Sequence, residues 1–345
     1  MKRIIEKMIN DELSYDDVSE AMEEIMEGNV DDIVIGAFLL ALRIKGESIE
    51  QLKAMYDSML KHAITIKPNV NDKIIDTCGT GGDKIKTFNI STAAAFVASI
   101  ETIVAKHGNR SMSGYSGSAD ILEALGYNLS LEPEKVEESI EELGIGFLFA
   151  PIFHPSMKYV SRARKALGIR TAFNILGPIA NPCKIDAQIV GVSSPELMDK
   201  ISKLLLSINR EAMVFHSSDG FDELSITSSN KVIWLKDGKI DELIIDPKDL
   251  NLSSNIKDIT INSKEDAIKG FLQAINGLDK PKRDIVALNA SAALIIADKV
   301  DSFNEGIEVS REIIDSGKAY EKLKALIKRY GDYAKLEEME KRWLS

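Results

Sequence analysis

The sequence has few cysteines and no long apolar segment. Its 345 residues include only two cysteines, Cys78 and Cys183, which are too few for a disulfide framework and lack the spacing of a zinc site. The longest apolar stretch, residues 33–42, is far shorter than the roughly 20 residues that a membrane-spanning helix needs. The first residues also lack the apolar core of a signal peptide. We therefore expect a cytoplasmic protein without a membrane partner.

Positive charge is scarce as well. Lysine and arginine number 43 against 54 aspartates and glutamates, which gives a formal net charge of −11. A general nucleic-acid binder needs a basic surface to displace counterions, so this balance predicts no nucleic-acid partner. A small anionic ligand would need a local cluster of positive charges and backbone amides. The 44% hydrophobic and 28% charged residues are typical of a globular protein, and the length predicts about two domains.

Residues 1–65 have the pattern of short helices with clear start and stop signals. The residues suited to begin helices are Ser14, Asp31 and Ser48, the last in a capping box with Gln51, and the stops are Gly28 and Gly46. The helix that begins at Asp31 and ends at Gly46 is apolar nearly all round. That pattern indicates either a buried helix or a contact between subunits.

A different pattern begins near residue 72. Short β-rich runs alternate with helical patterns, which is typical of a largely parallel sheet in an α/β domain. Two alternating runs around Asp237-Gly238 predict a β-hairpin. The tail from residue 263 is predicted to carry amphipathic helices, including residues 284–297. The predicted parallel strands are residues 73–75, 102–105, 188–192 and 212–216.

The first predicted strand leads into a glycine-rich loop. Gly79, Gly81 and Gly82 follow the strand, and an alanine-rich helix begins after residues 89–92. Glycines let backbone N–H groups approach a ligand closely, and a helix N-terminus adds unpaired donors and a favourable dipole. The loop has neither the Walker pattern nor the dinucleotide fingerprint. An anion site and an ordinary capped turn therefore both remain open for this loop.

A second strand–loop–helix unit follows directly, over residues 102–125. Because neighbouring parallel strands end at the same edge of a sheet, the two loops are expected to meet where α/β folds bind ligands. Lys106 and Arg110 would supply positive charge there, which favours a phosphate or oxyanion site. His107 is more simply explained as a hydrogen-bonded loop histidine than as a general base.

Two later segments carry charged side chains whose roles spacing alone leaves open. A predicted helix over residues 157–167 bears Arg162, Arg164 and Lys165, and an arginine on it could hold a carboxylate by a bidentate contact. The alternative is a solvated basic helix face. A turn at residues 219–223 carries three carboxylates, which could ligate Mg²⁺ beside substrate phosphates or could simply face solvent.

Taken together, these segments resemble the anthranilate phosphoribosyltransferase family. The matches follow one another in order through essentially the whole chain, and several ordered motifs are far more specific than any single one. The matching motifs are GTGGD at 79–83, NIST at 89–92, KHGNR at 106–110, SGSAD at 116–120, RK at 164–165, LG at 167–168, RT at 170–171, NILGP at 174–178, DG at 219–220 and DE at 222–223.

The resemblance implies an α/β fold of the nucleoside phosphorylase/phosphoribosyltransferase class. A small all-helical domain would comprise residues 1–68 with about 158–183. A large α/β domain with a mostly parallel central sheet would comprise residues 69–157 and 184–345. Members of the family usually form a homodimer through the helical domain. The implied reaction transfers the phosphoribosyl group of phosphoribosyl pyrophosphate (PRPP) to the amine of anthranilate, with Mg²⁺ as cofactor, in tryptophan biosynthesis.

The resemblance also implies site residues, none of them as a general acid or base. Anthranilate would contact Gly79, Asn109 and Arg164, with His107, His154 and Pro178 along its path. Mg²⁺ would be held by Ser91, Asp222 and Glu223. PRPP would contact Gly79, Gly82, Asp83, Thr87, Asn89, Ile90, Ser91, Thr92, Lys106, His107, Gly108, Asn109, Arg110, Ser111, Met112, Ser113, Gly114 and Ser118.

One motif departs from the family pattern. The family usually has a glycine after the aspartate of GTGGD, whereas this chain continues with Lys84-Ile85-Lys86. Two extra lysines at this place could bind diphosphate more tightly or slow its release.

Two other functions are compatible with parts of the sequence. A pyrimidine-nucleoside phosphorylase has the same general architecture, but this chain has SGYSGSADILEAL where such enzymes carry an SGRGLGHTGGT-like segment. Phosphorolysis of thymidine or uridine would identify that activity. A nucleic-acid-binding relative without enzymatic activity would need a basic surface and could dispense with Arg164 and the Asp222-Glu223 pair. This chain retains both and is acidic, and a gel-shift assay at physiological salt would test the alternative.

Overall fold

The computed structural model describes residues 1–82, 85–111 and 114–344. Four residues named above, Asp83, Lys84, Met112 and Ser113, lie outside these ranges. The chain begins with the helices α1 (Lys2–Asn10), α2 (Tyr15–Met26), α3 (Asp32–Lys45) and α4 (Ile49–Lys61).

These helices begin and end where the sequence predicts. Ser14 and Ser48 each accept a hydrogen bond from the backbone N–H three residues further on, and Asp17 and Gln51 complete the reciprocal capping boxes. Asp31 caps α3 by accepting from a backbone N–H of its first turn. The two predicted stop glycines follow α2 and α3 with positive φ, a conformation that favours glycine at helix ends.

The described residues form one seven-stranded sheet in the order β3-β2-β1-β4-β5-β6-β7. Neighbours from β3 to β5 are parallel, and β6 and β7 continue the sheet antiparallel. This arrangement confirms the mostly parallel sheet and the hairpin, whose turn residues Asp237 and Gly238 both have positive φ. The strands are β1 (Ile74–Gly79), β2 (Ile103–Gly108), β3 (Ile145–Phe149), β4 (Ala187–Gly191), β5 (Glu211–Ser217), β6 (Asn230–Lys236) and β7 (Lys239–Ile245).

Helices cover the sheet and connect its strands. α5 follows β1 and α6 follows β2, so both predicted strand–loop–helix units are present side by side. The helices are α5 (Ile90–Ala98), α6 (Ser118–Ala124), α7 (Pro133–Leu143), α8 (Ala150–Phe153), α9 (Lys158–Leu167), α10 (Ala172–Ile179), α11 (Pro195–Ser207), α12 (Lys264–Ile275), α13 (Lys280–Ile296), α14 (Phe303–Asp315), α15 (Lys318–Tyr330) and α16 (Tyr333–Trp343).

Two elements differ from the sequence-based expectation. β3 is absent from the predicted strands because it continues directly into α8 without a turn residue between them. The amphipathic pattern predicted for residues 284–297 is wrong, since residues 284–296 of α13 are all buried. Its polar residues are paired inside the protein: Asp284 with the guanidinium of Arg311, and Asn289 with the backbone of Leu224.

One apolar cluster joins the N-terminal helices to the sheet. It contains residues of α2 and α4, continues through Ile201, Leu204 and Leu205 of α11, and reaches Val190 of β4 and Val214 of β5. α9 and α10 also pack against this bundle, on α3 and α4 respectively. Within the described residues, no helix combines the length and apolarity needed to cross a membrane.

Candidate active site

The glycine loop after β1 lies directly against the acidic turn after β5. The N–H of Gly81 donates to Oδ2 of Asp222 over 2.6 Å. A Cβ atom on Gly79 would lie 2.5 Å from the same Oδ2, so only glycine permits this approach. Two segments that are 141 residues apart in sequence therefore meet at the carboxyl edge of the sheet, where ligands of α/β folds bind.

The N-terminus of α5 completes this corner. The N–H of Ser91 donates to Oε1 of Glu223 over 3.1 Å. Asn89, the residue before the helix, donates its side-chain Nδ2 to the carbonyl of Ser116 in the second loop, which joins the two loops. Among the described residues, three buried acceptors or donors here have no partner: Asn89 Oδ1, Thr92 Oγ1 and Glu223 Oε2. Unpaired polar atoms at a helix N-terminus indicate a ligand site.

The carboxylates of Asp222 and Glu223 are both buried, with 9% and 8% of their surfaces exposed. Burial raises the pKa of Glu223 to about 8, and the negative charge of Asp222 adds to this shift. Burial likewise raises the pKa of Asp222. Two buried acids with one orphaned oxygen fit a divalent cation, which would neutralise both. Among the described residues no cluster of three metal-binding side chains occurs, so further ligands must come from hydroxyl groups, substrate phosphates or water.

Lys106 lies inside the sheet rather than on the exposed part of the second loop. Only 3% of its surface is exposed, and its Nζ donates to the carbonyl of Thr77 over 2.6 Å. Its positive charge opposes the effect of burial on the pKa values of Asp76 and Glu223. The lysine therefore supplies buried positive charge that acts on Glu223 from inside the sheet.

Arg110 forms ion pairs with carboxylates of α6, the helix that follows its loop. Its guanidinium donates to both oxygens of Glu123, over 2.6 and 2.8 Å, and to Asp120 over 3.3 Å. Asp120 also accepts from the N–H groups of Ser111 and Gly117, which fixes the turn before α6. The positive charge predicted for this loop is thus matched by two carboxylates.

A pair of neutral histidines lies beside the second loop. The rings of His107 and His154 are 5.3 Å apart between centroids, and His154 donates to the carbonyl of Ala180 over 2.9 Å. Burial lowers the pKa of His107 to about 3 and also lowers the pKa of His154. Both imidazoles are therefore uncharged near pH 7.

The carbonyl of Pro178, in α10, accepts hydrogen bonds from the Gln188 side chain and from the Cys78 thiol. Cys78 is therefore a buried packing residue.

Arg164, near the end of α9, has no counter-charge among the residues that the structure describes. Its guanidinium lies over the ring of Phe173, 5.4 Å from the centroid, and within the described residues it has no carboxylate partner. Burial lowers its pKa, but a guanidinium remains protonated in proteins. A half-buried, unpaired guanidinium is a natural site for a carboxylate ligand.

Arg170, for which the sequence predicts no role, contacts the glycine loop from the connection between α9 and α10. Its Nη2 donates to the carbonyl of Gly81 over 2.7 Å, and its Nη1 donates to Oγ of Ser193 over 3.1 Å. The available signal was its place in the RT motif after Gly168.

Comparisons with known proteins identify the family. The model described as "Glycosyl transferase family, helical bundle domain" matches residues 2–63, and the one described as "Glycosyl transferase family, a/b domain" matches residues 71–320. The anthranilate phosphoribosyltransferase of Petrotoga mobilis is 46% identical over 327 residues, which cover 94% of this chain and 95% of that protein. The chain belongs to the anthranilate phosphoribosyltransferase family. The family and the fold class expected from the sequence are thereby confirmed.

Solved structures of anthranilate phosphoribosyltransferases have the same fold. The Thermus thermophilus structure is 36% identical, with a TM-score of 0.87 over 97% of this chain and 99% of that one. The Saccharomyces cerevisiae enzyme in complex with PRPP and Mg is 27% identical, with a TM-score of 0.86 over 94% of this chain and 96% of that one.

Proposed function

We propose that this protein transfers the phosphoribosyl group of PRPP to the amine of anthranilate, giving N-(5-phosphoribosyl)anthranilate and diphosphate. This is the second step of tryptophan biosynthesis from chorismate. The observation that carries the proposal is the contact between the glycine loop and the buried carboxylate pair, made by the Gly81 N–H and Asp222. That contact combines backbone donors for a phosphate chain with acids for its cation in one corner.

The diphosphate and ribose phosphate are assigned to the two loops at the carboxyl edge of the sheet. The atoms of Asn89 and Thr92 that lack a partner among the described residues support this assignment, as does the buried positive charge of Lys106, which acts on Glu223. Three further residues of the proposed PRPP site, Asp83, Met112 and Ser113, lie outside the described residues. The described members are Gly79, Gly82, Thr87, Asn89, Ile90, Ser91, Thr92, Lys106, His107, Gly108, Asn109, Arg110, Ser111, Gly114 and Ser118.

Mg²⁺ is assigned to Ser91, Asp222 and Glu223. The relative from S. cerevisiae has been solved with PRPP and Mg, which supports the cofactor. Oε2 of Glu223 has no hydrogen-bond partner in the described part of the chain, and this atom and the raised pKa values of both acids fit this group. When bound, Mg²⁺ would stabilise the negative charge that builds up on the departing diphosphate.

Anthranilate is assigned to the region between Arg164, Asn109 and the two histidines. Arg164 would bind its carboxylate and so orient the ring, with Gly79 and Pro178 as further contacts. The aromatic amine of anthranilate is already neutral at pH 7, so attack on the sugar needs no strong base. The neutral state of His107 agrees with a role in shaping the site. Catalysis then depends on positioning and electrostatics.

The direct test mixes the protein with anthranilate, PRPP and Mg²⁺ and follows anthranilate fluorescence. We expect a loss of fluorescence that requires all three components, and controls omit each in turn. Phosphorolysis of thymidine or uridine is measured in parallel. Retained anthranilate fluorescence together with nucleoside phosphorolysis would refute the proposed transfer.

We also infer the domain boundaries and a cytoplasmic location. Residues 1–68 with about 158–183 are assigned to the helical domain, because α9 and α10 pack on α3 and α4. Residues 69–157 and 184–345 are assigned to the α/β domain. Two buried, unpaired cysteines agree with a reducing compartment. The acidic composition still predicts no nucleic-acid partner.

The helical domain is proposed to form a homodimer through the outer face of α3. Ile33, Leu40 and Ile44 are 82%, 38% and 75% exposed, and their spacing of seven and four residues places them on one side of the helix. The opposite side, with Ile35 and Phe38, is buried in the bundle. A second copy of the same apolar stripe would cover these side chains.

This interface is expected to break when charge is placed in it. Wild-type protein should sediment with twice the chain mass of 38.0 kDa, and the Ile33→Lys/Ile44→Lys variant should sediment as a single chain. An unpaired buried lysine costs several kcal/mol, enough to weaken the dimer by at least about 100-fold. The control is Ile240→Lys on β7, whose side chain is also exposed. A monomeric wild type, or a double variant that stays dimeric, would contradict the interface.

A further inference from the structure

Arg170 connects the helical part of the protein to the glycine loop. It follows α9, and α9 packs against α2 and α3. Its guanidinium extends to the carboxyl ends of β1 and β4, where it donates to the carbonyl of Gly81 and to the hydroxyl of Ser193. One forked side chain therefore bridges the ends of two neighbouring strands.

The loop is shaped to receive this guanidinium. Gly82 has a φ of +79°, and a Cβ atom there would lie 1.6 Å from Nη2 of Arg170. Any other residue at this position would be strained by the positive φ and would push the guanidinium out of its contact with the loop. The glycine thus serves the arginine contact as well as the turn.

The peptide groups of Gly81 are held from two sides. Its carbonyl accepts from Arg170, and its N–H donates to Oδ2 of Asp222. The hydrogen bonds therefore run without interruption from Arg170 through Gly81 to the carboxylate that is assigned to Mg²⁺. A shift of Gly81 would therefore move both the backbone N–H donors of the loop and the carboxylate of Asp222.

We propose that Arg170 is a positioning residue of the transferase, which holds the glycine loop against Asp222 and so tightens the binding of Mg²⁺–PRPP. This role rests on the proposed function of the loop. It differs from direct contact between Arg170 and diphosphate, because the effect passes through Gly81. The order of the loop before any substrate arrives is therefore the quantity that distinguishes the two roles.

The test compares Arg170→Ala and Arg170→Lys with the wild type and with Arg162→Ala, which removes an exposed arginine from α9. In the free protein, amide hydrogen exchange of Gly81 is expected to be faster in Arg170→Ala. The KM for PRPP and the calorimetric Kd for Mg²⁺–PRPP should rise about tenfold, the scale of a lost hydrogen bond to a charged group. The KM for anthranilate should change less than about twofold. Arg170→Lys, which keeps the charge but loses the fork, should be intermediate.

The outcomes separate this role from its alternatives. Weaker PRPP binding with unchanged exchange of Gly81 would mean that the guanidinium acts directly on substrate, and would overturn positioning. Unchanged exchange and unchanged affinity would also overturn it. Failure of wild-type protein to bind Mg²⁺–PRPP would overturn the proposed function and this role with it. Because Arg170 is exposed, Arg170→Ala should keep the wild-type melting temperature within a few degrees, as checked by calorimetry.

Discussion

Replacing Asp222 with asparagine and Glu223 with glutamine is expected to lower kcat/KM by roughly 10³-fold. The double variant keeps the size of both side chains but removes the two charges that would hold Mg²⁺ at the diphosphate. Metal stabilisation of a leaving group contributes several kcal/mol to the transition state, and each 1.36 kcal/mol is a factor of ten in rate. Steady-state kinetics at saturating anthranilate, with Mg²⁺ titrated at each PRPP concentration, measures the loss.

A matched control is Asp237→Asn, which removes a carboxylate from the exposed turn between β6 and β7 and suits its positive φ. The pH dependence gives a second measurement. Because the pKa of Glu223 is raised to about 8, the metal-free pair holds a proton below that pH, and Mg²⁺ must displace it. The apparent Mg²⁺ affinity of the wild type should therefore strengthen from pH 6 to 8, by up to about tenfold per unit. A double variant with a wild-type Mg²⁺ titration would remove these residues from the metal site.

Arg164→Ala is expected to raise the KM for anthranilate about 100-fold while the KM for PRPP changes little. The guanidinium is half-buried over Phe173 and lacks a carboxylate partner in the described part of the chain, so the substrate carboxylate would be its counter-charge. Removing one member of a desolvated charge pair costs about 2–5 kcal/mol, and a hundredfold change lies within that range. Initial rates over a range of anthranilate concentrations give both constants.

The Arg164 result needs two comparisons. Arg162→Ala, on the solvent side of the same helix, should leave both KM values near the wild type. Arg164→Lys should recover only part of the affinity, because an ammonium group cannot form the bidentate contact. If Arg164→Ala bound anthranilate as well as the wild type does, the carboxylate would have to be placed elsewhere.

Local signals in the sequence were sufficient for much of the fold. Capping residues such as Ser14 and Ser48 act on their own helix, so the starts of α2 and α4 could be predicted without tertiary information. The parallel strands β1, β2, β4 and β5 and the hairpin likewise follow from β-rich runs and turn residues, whereas β3 does not. α13 could not be assigned correctly, because the burial of its polar side chains depends on partners such as Arg311 and Leu224 elsewhere in the chain.

The site residues show the same division. Motifs placed the glycine loop, the second loop and the acidic turn, and neighbouring parallel strands explain why the first two meet. Motifs could not predict which charged side chains are buried or already paired within the protein. Arg110 is paired with Glu123, Lys106 is buried within β2, and Arg170 contacts Gly81. Each of these depends on three-dimensional packing. Spacing along the chain carries no information on which cation is already neutralised.

The apolar cluster that runs from α2 and α4 through α11 to β4 and β5 limits how the enzyme can move. Swinging the helical bundle away from the sheet as a rigid lid would bring this cluster into water, at about 1.5–3 kcal/mol for each large side chain. Rearrangements of the loops at the sheet edge would leave this cluster buried, so opening the site through the loops avoids that cost.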